Sequence, residues 1–171
     1  LPAADIVTIF GASGSGKSFV VLEMAACIAL GLPWRGRKVE KGRVIIIAAE
    51  GAGSYGKRIK ALAQHLGISP KDLDIGVIVV PPNLMEEGDV TELAASIKAV
   101  GDVSLILIDT FAQVTPGANE NGAEDMGLAL SNVRVLGDTT DATVGLVHHA
   151  GKDAHRGSRG WSGIRAAVDA E

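Results

Sequence analysis

The sequence has 171 residues, enough for one domain with a sizeable core, and its 47% apolar content excludes a disordered chain. Its 16 basic and 20 acidic residues leave a net charge of −4, which excludes a globally basic nucleic-acid surface, so any such contact must be local. A lone cysteine, Cys27, excludes a disulfide framework within the chain and suits a reducing cytosol; it lies in a helical apolar pattern and reads as a small core residue.

Apolar, β-rich runs at 6–10, 43–49, 75–80, 104–109 and 142–149 alternate with helical patterns at 18–30, 55–66, 90–100 and 124–136. Strands apolar on both faces that alternate with amphipathic helices predict an α/β fold, a mainly parallel sheet with helices on both faces. Aromatic residues are scarce at 4%, so Ala, Val, Ile and Leu must build the core. Ligands of such sheets bind beyond the carboxyl ends of the strands. No run reaches the roughly 18 apolar residues needed to span a bilayer, and the start lacks the basic end of a signal peptide. The expectation is a cytoplasmic protein with no membrane contact. Residues 1–171 read as a single domain that is cut short at its C-terminal end, because 166–171 resemble an element stopped mid-course.

The first strand runs into Gly11-Ala12-Ser13-Gly14-Ser15-Gly16-Lys17-Ser18, followed by Phe19 and a helical pattern. Strand, glycine loop and helix N-terminus in that order make a P-loop. The glycines let successive N–H groups turn inward toward a phosphate, and the helix adds its positive dipole end. Lys17 is spaced to reach the β- and γ-phosphates, and the Ser18 hydroxyl to ligate Mg²⁺. The stretch, together with Phe19 just after it, predicts binding of a nucleoside triphosphate. Beyond the first helix, Trp34 in Leu32-Pro33-Trp34-Arg35-Gly36 fits a loop anchor better than a partner surface.

The second strand ends Ala48-Ala49-Glu50-Gly51, where a carboxylate can polarise the water that attacks a γ-phosphate. A helix N-cap or an exposed loop acid fits the same residue. Arg58, on the next helix, has the reach to stack on or hold the nucleotide, and a solvated helix arginine fits its position nearly as well. The fourth strand, Leu105-Ile106-Leu107-Ile108-Asp109-Thr110, has the Walker B pattern of apolar residues closing on an acid that orients Mg²⁺. The polar loop at 117–125 carries Glu120, Glu124 and Asp125 and is longer than a connection needs.

The fifth strand ends His148-His149. Adjacent strand residues point to opposite faces, so the two imidazoles do not share a metal; one of them fits a γ-phosphate sensor. After Lys152 comes a basic, glycine-rich loop with Arg156 and Arg159, suited to solvent, to nucleic-acid phosphates or to a neighbour's active site.

Together these residues resemble the RecA-like hexameric ATPases, in particular the plasmid and phage replicative helicases of the RepA type, which are AAA-type P-loop ATPases. The resemblance rests on 11–18, on Ala49-Glu50-Gly51, on Asp109-Thr110, and on Ala118-Asn119-Glu120-Asn121 with Glu124-Asp125-Met126. It rests further on His148-His149-Ala150-Gly151-Lys152-Asp153 and on Arg156-Gly157-Ser158-Arg159-Gly160 ahead of Asp169. It implies a RecA-like P-loop core that uses ATP and Mg²⁺, with Glu50 as catalytic base and His149 as γ-phosphate sensor. Arg159 matches an arginine finger that reaches into the neighbouring subunit, with Arg156 as its rival. Arg58 resembles an arginine that packs near the adenine.

The function this implies is a Mg²⁺-dependent ATP hydrolase, the motor of a ring-forming DNA helicase. The ring would grip single-stranded DNA through Lys152 and Arg156. The alternative is a RecA-like regulatory or loader ATPase that binds protein partners. A small-molecule kinase is a third class; it predicts an arginine-rich lid and a defined acceptor pocket, neither of which stands out in the sequence.

Overall fold

Alternation along β4 (Leu105–Asp109) divides the core in two. Side chains of successive strand residues point to opposite faces. Leu105 and Leu107 therefore pack with Val21, Leu22 and Ala25, whereas Ile106 and Ile108 pack with Val90, Leu93, Met126 and Val133. The first group belongs to α1 (Lys17–Leu30), and the second to α3 (Glu87–Ala99) and α4 (Ala123–Thr140). A strand that is buried on both faces must sit inside a sheet covered on both sides, as the sequence predicts.

The structure is a computed structural model and describes residues 5–149 and residue 168. The remaining elements are β1 (Ile6–Gly11), β2 (Val44–Ala48), α2 (Ala52–Leu66), β3 (Ile75–Ile78) and β5 (Thr143–His149). The five strands pair in the order β1-β5-β4-β2-β3, and every pairing is parallel. Tyr55 of α2 joins the α1 side of the core. No described helix is long and apolar enough to cross a membrane.

The strand and helix runs read from the sequence recur with shifted ends. β3 stops at Ile78 instead of reaching Val80, and Val79 and Val80 are exposed at 56% and 76%. Pro81 and Pro82 follow, and proline has no N–H to donate to a ladder. α3 begins at Glu87, where the acids Glu87 and Asp89 favour the positive end of the helix. Cys27 is half-buried rather than fully interior, with its thiol turned to the Pro33 carbonyl 3.9 Å away, and burial raises the pKa of that thiol. Trp34 pairs with Arg37 across a tight turn and takes the Arg35 guanidinium 5.3 Å from its ring centre. Those contacts favour the anchoring reading of Trp34.

Leu107 is fully buried at the middle of the sheet. Truncating it leaves a cavity that neighbouring strands cannot close, and Leu107→Ala is expected to cost about 2–5 kcal/mol of folding free energy. Urea unfolding followed by circular dichroism measures this as a lower midpoint with an unchanged slope.

Candidate active site

β1 and α1 are joined by the glycine loop, and two of its residues require a backbone that side chains resist. Gly14 and Gly16 have φ of 73° and 88°, in the left-handed region. Gly16 then serves as N-cap of α1, so the helix starts at Lys17 with its free N–H groups at the loop. The Lys17 ammonium reaches back across the loop and donates to the carbonyls of Gly11, at 2.8 Å, and Ala12, at 2.9 Å. A lysine ammonium has three donors, so one remains for a ligand oxygen.

The acids come from neighbouring strands. Ala48 of β2 lies in register with Asp109 of β4, and the Glu50 N–H donates to the Asp109 carbonyl at 2.9 Å. Glu50 thus projects just beyond the end of the sheet, exposed, while Asp109 at the end of its strand is only 2% exposed. The Thr110 hydroxyl donates to Glu50 Oε2 at 3.3 Å and steadies that carboxylate. Lys17, Ser18, Glu50, Arg58, Asp109 and Thr110 all line one cleft of about 280 Å³.

Above the cleft, α2 contributes a stack. The Arg58 guanidinium lies 5.3 Å from the Phe19 ring centre and 5.4 Å from that of Tyr55. Cations over aromatic faces are held by the ring quadrupole. This fixes Arg58 at the rim of the cleft and disfavours a loose, solvated arginine. Phe19 itself is 64% exposed, which leaves a flat apolar surface beside the phosphate loop. Tyr55 is fully buried, and its hydroxyl donates to Asp109 Oδ2. Burial, and next the Asp109 carboxylate, push its pKa well above that of a free phenol, so it remains a donor at neutral pH.

The donor set suits magnesium. Ser18 and the two acids offer only hard oxygen atoms, and these open on the same cleft as the ammonium that would meet phosphate charge.

A family model described as AAA domain matches residues 1–155. The chain belongs to the AAA domain family. Membership places it among the AAA-type P-loop ATPases, and the all-parallel sheet is consistent with a RecA-like P-loop core. A search of the curated proteins finds no match.

Of the site residues expected from the sequence of this AAA domain, the structure brings together the phosphate loop, Phe19, Glu50, Arg58 and Asp109. His149 closes β5 in register with Gly11, which sets its backbone beside the phosphate loop; its side chain lies outside the description. His148 is buried, and its ring meets that of Phe111 edge-on at 6.1 Å, a packing role. Lys152, Arg156, Arg159 and Asp169 lie outside the described residues.

Two residues of the site were given no role of their own from the sequence. Thr110 follows the Walker B acid without any local signal that it holds Glu50. Tyr55 shares a helical stripe with Ile59 and Leu62 and so looks like plain core. The available signal is chemical: a buried tyrosine hydroxyl needs a partner, and this is the sequence's single tyrosine.

Proposed function

We propose that this domain is the Mg²⁺-dependent ATPase core of a ring-forming replicative helicase of the RepA type, acting on single-stranded DNA. The observation that carries the hydrolytic part is the convergence of Lys17, Glu50 and Asp109 on one cleft at the carboxyl ends of the strands. In this reading the loop N–H groups and Lys17 hold the β- and γ-phosphates, and Ser18 and Asp109 hold Mg²⁺. The chemistry Mg²⁺ supplies there is charge neutralisation and orientation of the γ-phosphoryl group.

Glu50 takes a proton from the attacking water, and Thr110 keeps its carboxylate aimed. The nucleobase lies against Phe19 and Arg58, the flat end of the cleft. His149 senses the γ-phosphate, and Arg159 of one subunit completes the site of the next. The motor part is supported by the stretches 118–126, 148–153 and 156–160, whose resemblance to RepA-type helicases goes beyond a phosphate loop.

ATP turnover measured with and without single-stranded DNA, paired with a strand-displacement assay, tests the reading. The expected result is turnover that rises several-fold with DNA, together with unwinding of a tailed duplex. Turnover that ignores DNA and unwinds nothing would overturn the motor and favour a regulatory or loader ATPase.

A further inference from the structure

The residue that ties the metal end of the cleft together lies on neither sequence motif. Tyr55 comes from α2, the helix that follows Glu50. Its ring is enclosed by the α1 side of the core, and its hydroxyl donates to Oδ2 of Asp109. A buried hydroxyl from outside both motifs thus holds the acid of β4 that the sequence assigns to magnesium. If ring packing alone were required, phenylalanine would meet it without burying a hydroxyl, which is unfavourable unless hydrogen-bonded.

Carboxylates near a metal are themselves hydrogen-bonded, and those outer partners set the direction in which the ligand oxygen points. With Oδ2 engaged by Tyr55, rotation of the Asp109 carboxylate about its Cβ–Cγ bond is disfavoured. The Arg58 guanidinium lies 5.4 Å from the centre of the same ring and adds a further contact that holds the phenol.

We propose that Tyr55 is a positioning residue, whose hydroxyl orients Asp109 toward the magnesium of a bound nucleotide. This rests on the nucleotide reading of the cleft given above.

Two measurements test it. Because the sequence holds a single tyrosine, protein grown on 3-fluorotyrosine gives one ¹⁹F resonance from Tyr55. At saturating ADP in EDTA, adding excess Mg²⁺ is expected to move that resonance further than ADP alone does; a resonance that ignores Mg²⁺ overturns the proposal.

The second measurement is the affinity of Tyr55→Phe for a fluorescent ADP analogue, with Mg²⁺ and with EDTA. The gain in affinity that Mg²⁺ brings to the wild type is expected to shrink by about 10- to 100-fold, with the EDTA value unchanged. A variant that keeps the full gain, or loses affinity equally in both buffers, overturns the positioning role. A wild type that binds no nucleotide in either buffer overturns the nucleotide reading and this proposal with it.

Discussion

Glu50→Gln is expected to lower ATP turnover by about 10²- to 10⁴-fold while nucleotide affinity stays near that of the wild type. The substitution keeps the shape of the side chain and an oxygen for the Thr110 hydroxyl to meet, so the strand end and the cleft persist. What disappears is the basic carboxylate. An amide does not take the proton of the attacking water, and because that transfer belongs to the transition state, the loss falls on kcat rather than on binding. Single-turnover hydrolysis of radiolabelled ATP, alongside titration of a fluorescent analogue, separates the two effects. A kcat reduced by less than about tenfold would remove Glu50 from the role of base, since positioned proton transfer is worth more than that.

The second large effect is expected at Arg159. An arginine finger supplies charge only at the transition state, worth about 10³ to 10⁵ in rate. Arg159→Ala should therefore be nearly inactive while still binding ATP. If the finger acts in trans, wild-type turnover per subunit also rises with protein concentration. Mixing gives the sharper test. Arg159→Ala subunits keep an intact phosphate loop, and Lys17→Ala subunits keep an intact finger. A mixed ring then contains sites with Lys17 from one subunit and Arg159 from the next, and activity returns although each variant alone is dead. A mixture that stays inactive would move the arginine into its own subunit's site or out of the chemistry. The same mixing with Arg156→Ala decides between the two arginines.

What could be read from the sequence was whatever depends on residues close together in the chain. The glycine loop, the strand before it and the helix after it lie within residues 6–30, and their geometry follows from local backbone chemistry. Burial on alternate faces of β4 was equally legible, because the period of a strand is written in successive residues. The hydroxyl contacts were not. Thr110 meets Glu50 across 60 residues of chain, and Tyr55 meets Asp109 across 54. Both arise because β2 and β4 became neighbours, with α2 folded over that pair, and no short-range pattern encodes a neighbour in the sheet. The ends of β3 and α3 show a milder form of the same limit. The proline pair after Val80 and the acids at Glu87 and Asp89 were visible, but their weight against the apolar run depends on tertiary packing.

The strand order also bears on synthesis. Among the described residues, β1 is hydrogen-bonded to the sheet only through β5, the last strand of the five. A nascent chain that has emerged as far as α4 holds the glycine loop, Glu50 and Asp109, but lacks the strand that stitches the loop to β4. The two halves of the cleft are thus joined late, at the cost of closing a long loop. Nucleotide is therefore expected to act as a ligand of the finished chain rather than a template for its early folding. Until then β1 has an unpaired edge, the kind of surface that chaperones shield on a growing polypeptide.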